Sequence, residues 1–164
     1  PLPRDAGREV VLEMDREGWP PAWLDSVAQG LEDGLQSGVL KGYPVQDVRV
    51  AVTAMRRGPD ASPVGYHMAA AAALKAALAA AGPQLLEPLM WLEVTAPGEF
   101  VGDVIGLLGS KGAKVENMYD HGGQKVVKAL APLRQLFGFS TDLRSATQGR
   151  AGLSMKFARF DLLG

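Results

Sequence analysis

Two stretches of this chain carry side chains whose type and spacing could do chemistry. The first is Arg56-Arg57-Gly58-Pro59-Asp60-Ala61-Ser62-Pro63. Two adjacent arginines at a loop tip can grip phosphates or stack on bases. The plainer reading is a solvated turn stiffened by Pro59 and Pro63. The second is Leu143-Arg144-Ser145-Ala146-Thr147-Gln148-Gly149-Arg150, with two arginines, three hydrogen-bonding side chains and a glycine ahead of a strand. Basic residues scatter around it: Lys111, Lys114, Lys125, Lys128, Arg134, Lys156 and Arg159. Lys114 and Lys125 flank a hairpin, which predicts that they are near neighbours. Asp103, Glu116, Asp120 and Asp142 dilute this set, and ordinary charge on a sheet rim is its other reading.

Catalytic chemistry finds little support. The chain has no cysteine, which excludes disulfides and thiolate metal sites. Gly106-Leu107-Leu108-Gly109-Ser110-Lys111-Gly112 is glycine-rich, but its spacing is wrong for cradling phosphates. It reads instead as a helix with a glycine-lined packing face. No Gly-x-Ser-x-Gly elbow exists, and no carboxylate pair stands out as acid and base. The two histidines, His67 and His121, are far apart and in no metal-spaced cluster. His67 reads as a first-turn helix residue, and His121 as a hairpin residue, either a plain surface turn or an RNA contact. No catalytic, cofactor or metal site is expected in this chain.

The elements that must position these stretches follow from composition and periodicity. Hydrophobic residues are 47% and charged residues 21% of 164, a globular balance for one domain or two small ones. The net charge is -1, so any RNA contact needs a local patch. The most apolar run, Met68 to Ala81, is interrupted by Lys75 and is too short for a bilayer, which takes about 20 residues. The N-terminus is polar, Pro-rich and lacks a starting methionine, which reads as a fragment or a processed product.

In the first half, residues 9–14 read as a strand. Trp23, Val27, Leu31 and Leu35 mark one face of a helix that Pro21 can open. Residues 47–54 alternate as a half-buried strand, with Val48, Val50, Val52 and Ala54 on one face. Alanine-dense residues 66–81 form a second helix, whose small side chains would let it lie close against a sheet. The second half reads as a strand over 89–95 and a helix over 98–111 with Phe100, Val101, Val104, Ile105 and Leu108 inward. Strands over 114–119 and 124–131 flank a tight connection at Asp120-His121-Gly122-Gly123. A helix over 141–148 and a strand over 153–160 complete it. The fold class is α+β: β-α-β-α, then the ferredoxin-like β-α-β-β-α-β order.

Several strings in this order resemble the C-terminal part of elongation factor G and related translational GTPases. Tyr43-Pro44-Val45-Gln46-Asp47-Val48 resembles a strand entry in the family's fourth domain. Leu86-Glu87-Pro88-Leu89-Met90 resembles its domain junction, and Leu92-Glu93-Val94-Thr95 with Gly102-Asp103-Val104-Ile105-Gly106 the opening of its fifth domain. Pro132-Leu133, Phe137-Gly138-Phe139-Ser140-Thr141 and Leu143 to Arg150 resemble a run further along that domain. The resemblance covers nearly the whole chain. It implies residues 1–84 as a fourth domain, N-terminally incomplete and with the fold of a ribosomal-protein second domain, and residues 85–164 as a ferredoxin-like fifth domain.

It further implies a ribosome-binding module that acts mechanically during tRNA–mRNA translocation. Its partners would be rRNA, ribosomal proteins and tRNA–mRNA, with no membrane, in the cytoplasm and as a monomer. GTP and Mg would belong to a GTPase domain outside this chain. The implied ribosome-contacting residues are Arg56, Arg57, Asp60, Ser62, Lys114, His121, Arg144, Gln148 and Arg150. Two departures point to a divergent paralogue. The family's His-Asp-x-Asp run at the fourth-domain tip is here Arg57-Gly58-Pro59-Asp60-Ala61-Ser62, and a glycine pair before the first helix is here Arg16-Glu17-Gly18-Trp19. Ribosome recycling or ribosomal protection is the alternative step. From another class, a regulatory ferredoxin-like module would need a pocket with convergent polar groups, and the sequence shows no such cluster.

Overall fold

The computed structural model describes residues 1–163. The chain divides into two compact units, Pro1–Leu85 and Leu86–Gly164.

In the first unit, β1 (Arg8–Leu12) and β2 (Val48–Val52) pair in parallel, Arg8 opposite Val48 through Leu12 opposite Val52. A parallel pair needs a crossover, and α1 (Pro21–Gln36) provides it. Pro21 stands at the first helical position, as its missing N–H permits. Val27, Leu31 and Leu35 are buried on the face that the four-residue spacing predicts. Val10, Leu12, Val48, Val50 and Val52 pack against the same cluster.

The alanine-rich helix, α2 (Pro63–Ala80), starts three residues earlier than its composition suggests because Ser62 caps it. The Ser62 hydroxyl accepts the Gly65 N–H at 3.1 Å, satisfying an otherwise orphan donor. The close approach that its small residues permit is to α1 rather than to the sheet. A Cβ on Gly30 of α1 would lie 2.3 Å from the His67 carbonyl oxygen of α2. Ala70, Leu74 and Leu78 are the residues that α2 buries, and most of its alanines face solvent.

The second unit is a four-stranded sheet of order β4-β5-β3-β6. Its strands are β3 (Leu86–Ala96), β4 (Lys114–His121), β5 (Gln124–Pro132) and β6 (Gly152–Leu162). β5 is antiparallel to both β3 and β4. The strands joined through α3 (Val101–Ser110) are therefore parallel and split by β5, the ferredoxin-like arrangement that the element order predicts. With α4 (Phe139–Ala146), α3 supplies the helical layer, and Val104, Leu108, Phe139 and Leu143 bury against Leu92, Val94, Val127 and Ala129.

The detail differs from expectation in three places. Ile105 is outward, 40% exposed, and half-buried Leu107 packs on the core in its stead. The glycines of α3 do not line a packing face. A Cβ on Gly102, Gly106 or Gly109 would meet nothing within 4 Å. α4 runs over 139–146 rather than 141–148, because Gln148 and Gly149 take positive φ of 53° and 76°.

A bulge in β6 sets Arg159 opposite Leu89 but Phe157 opposite Met90, leaving Ala158 unpaired. Simple alternation would send Phe157 and Phe160 to opposite faces. With the bulge both share one face, their rings 5.1 Å apart.

Candidate nucleic-acid interface

The tip loop of the first unit follows β2 and ends at the Ser62 cap. Arg56, Asp60 and Ser62 line one shallow cleft of about 280 Å³, together with Pro59 and Tyr66. The two arginines expected to act together are held differently. The Arg57 guanidinium donates from Nη2 to the Gly18 carbonyl at 2.9 Å. It also lies 5.2 Å from the Trp19 ring centroid and 5.0 Å from that of Trp23. Arg56 is anchored through its backbone, where its carbonyl accepts the Tyr66 hydroxyl at 3.0 Å. Its exposed side chain has no charged or hydrogen-bonding partner among the described residues. Ser62 is engaged as a helix cap, while Asp60 is exposed.

The second unit gathers three of its five expected residues. Arg144, Gln148 and Arg150 surround the turn that ends α4. The Gly149 N–H donates to the Arg144 carbonyl at 2.8 Å and the Arg150 N–H to the Thr147 carbonyl at 2.9 Å. Inside this turn Thr147 is fully buried. Its hydroxyl donates to the Leu143 carbonyl at 2.7 Å and accepts the Ala151 N–H at 3.3 Å. Arg150 pairs with Glu99 and stacks 5.4 Å over the Phe100 ring, tying the entry of β6 to the start of α3. Arg144 is exposed, and its side chain has no partner among the described residues.

The remaining two residues are not part of that group. Lys114 and His121 stand at opposite ends of β4, about 23 Å apart at a rise of ~3.3 Å per residue. Lys114 pairs with Glu116 at 3.1 Å. His121 faces Gln124 across the Gly122-Gly123 turn, in which both glycines have positive φ; the tight connection expected over residues 120–123 narrows to two residues because β4 continues through His121. Lys114 and Lys125 are not neighbours. Lys125 belongs to the hairpin end, where it pairs with Asp120 at 2.8 Å, whereas Lys114 pairs across the sheet with Leu130.

Other cations of this unit are also committed. Lys111 bonds Asp142 at 3.0 Å and Lys128 bonds Glu93 at 3.3 Å. The hydrogen bond to Glu93, and then Tyr119, hold the Lys128 ammonium above the usual lysine range. Among the described residues there is no group of three or more His, Asp or Glu able to hold a metal ion. No helix of these residues is long and apolar enough to cross a membrane.

Reasoning from sequence missed the ring cluster of Trp19, Trp23 and Tyr66 behind the tip loop. Trp23 and Tyr66 rings lie 5.2 Å apart, and Trp19 meets Tyr66 edge-on at 5.7 Å. The spacing of Trp23 from Val27 marks a buried helix face, and nothing local reveals that Arg57 joins it. Phe137 entered only through the family resemblance, and its 79% exposure beside the positive-φ Gly138 was not anticipated.

Comparison with known proteins matches the same two regions. The family described as "Elongation factor G, domain IV" matches residues 1–82, and "Elongation factor G C-terminus" matches residues 84–163. The chain belongs to the elongation factor G family. It is 43% identical over 164 residues to "Elongation factor G 2" of Desulfotalea psychrophila, covering 99% of this chain and 24% of that protein. A crystal structure from Thermus thermophilus superposes with a TM-score of 0.86 at 28% identity, covering 96% of this chain and 24% of that one. The chain thus spans about a quarter of the length of both relatives. The matched regions are those of a translation elongation module, and the α+β fold agrees with the solved relative.

Proposed function

We propose that this chain is a ribosome-binding module of an elongation factor G-like GTPase, acting mechanically on tRNA and mRNA during translocation or a related step. The observation that carries the reading is the continuous match of the chain to the family's domain IV and C-terminus. The uncommitted Arg56 at the tip loop and Arg144 on α4 supply the local positive charge that a chain of net charge -1 needs to meet RNA. Steric and phosphate contacts suffice for such work, and no side chain here need be catalytic. Nucleotide and Mg chemistry would reside in a GTPase domain outside these residues.

A divergent paralogue, serving recycling or protection, is the second reading. Arg57-Gly58-Pro59 at the tip, where the family carries a His-Asp-x-Asp run, favours it. Domain boundaries near residue 84, a cytoplasmic setting and a monomeric state belong to the same proposal.

The test is co-sedimentation of the chain with ribosomes across a salt series. Salt-dependent pelleting is expected, because neutralised phosphates release counterions. A chain that stays in the supernatant at low salt overturns autonomous binding by this module.

A further inference from the structure

The two tip arginines do different work. Resting on the ribosome-binding reading above, we propose that Arg57 is a positioning residue, clamped on Trp19 and Trp23 so that the loop presents Arg56 to an RNA phosphate. The clamp draws together segments far apart in sequence. Gly18, in a positive-φ turn before α1, supplies the carbonyl that Arg57 bonds across 39 residues. Trp19 and Trp23 supply the two rings, one before α1 and one in its first turn. Tyr66, in the first turn of α2, closes the cluster against both rings and holds the Arg56 backbone with its hydroxyl. One arginine is thus held by its side chain and its neighbour by its carbonyl.

The chemistry fits this division. A guanidinium is planar, so it can stack on rings while donating in its own plane, which a lysine ammonium cannot do. To reach a phosphate, Arg57 would have to leave two rings and a carbonyl. Arg56 leaves nothing, since its side chain has no partner among the described residues. The half-buried Trp19 lies outside the hydrophobic core cluster of this unit. It can therefore be replaced without emptying the core.

The clamp is tested first without ribosomes. In an Arg56→Ala background, Arg57 is the remaining tryptic site of the tip loop. A stacked side chain must be released before a protease can seat it. Adding Trp19→Leu is expected to speed cutting after Arg57 at least tenfold relative to cutting after Lys75 in α2, which reports loosening of the whole unit. Equal relative rates overturn the clamp.

The ribosome arm then separates the two roles. Arg56→Ala is expected to lower the salt slope of co-sedimentation by roughly one unit or less. Arg57→Ala is expected to weaken pelleting at every salt concentration while keeping the slope, and Arg57→Lys to leave that loss unrepaired. Full rescue by Arg57→Lys would mean that Arg57 acts as a charge, overturning the positioning role. Absence of pelleting by the unsubstituted chain would overturn autonomous ribosome binding and Arg56's part in it, while the protease rates decide the clamp by themselves.

Discussion

Thr147 and Gly149 show how much of the most specific string in this chain is structural. The Thr147 hydroxyl serves a carbonyl and an N–H from within a fully buried site. Thr147→Val keeps the shape and the Leu143 carbonyl keeps the Thr147 N–H at 3.0 Å, but the Ala151 N–H loses its acceptor, which costs about 1–3 kcal/mol. A denaturant midpoint equal to wild type would contradict that role. Gly149 holds φ at 76° with open space around its missing Cβ. The obstacle to a side chain there is backbone strain rather than a clash. Gly149→Val is expected to lose about 1–3 kcal/mol, read as a lower melting temperature. Gly149→Ala should lose less, because it lacks the β-branch; equal losses would mean that strain at this φ is not the cause. The string's arginines divide in the same way: Arg150 is tied to Glu99, and Arg144 is left for contact.

At the scale of elements, the crossing of α1 and α2 depends on Gly30. A Cβ there would sit 2.3 Å from the His67 backbone oxygen, and backbone cannot swing aside. Gly30→Ala must part the helices and should destabilise by roughly 1–3 kcal/mol, the usual cost of overpacking. Gly106→Ala on α3 meets nothing within 4 Å and should stabilise by up to about 1 kcal/mol through helix propensity. Denaturant unfolding of the two variants checks the contrast, and shifts of the same sign would refute it. This pair also marks what was legible beforehand. The strands and helices were readable because their apolar residues repeat at periods of two and of three to four, and the order of elements carried the topology. Which glycines face a neighbour was not readable, since Gly30 and Gly106 look alike until their partners are placed. The same holds for the bulge at Ala158 and for the ring cluster that captures Arg57. Each depends on a contact from a segment distant in sequence.

At the scale of the whole molecule, the net charge of -1 hides an uneven use of cations. Arg49 bonds Glu9 and Glu13, Lys111 bonds Asp142, Lys128 bonds Glu93, and Arg150 bonds Glu99. Exposed pairs like these add little to stability, but they mask the charge that an anionic partner would feel. Of the cations expected to touch RNA, Arg56 and Arg144 have side chains without a partner among the described residues, one in each compact unit. Contacts in separate units with no shared partners should act independently. Arg56→Ala and Arg144→Ala should each lower the salt slope of ribosome association by roughly one unit or less, and the double variant by their sum. Lys114→Ala, which removes a cation paired with Glu116, should change the slope less than either. A double variant that keeps the wild-type slope would place the electrostatic contact elsewhere on the chain. A double variant no weaker than one single would mean that only one unit meets RNA, and the single with the larger loss would identify it.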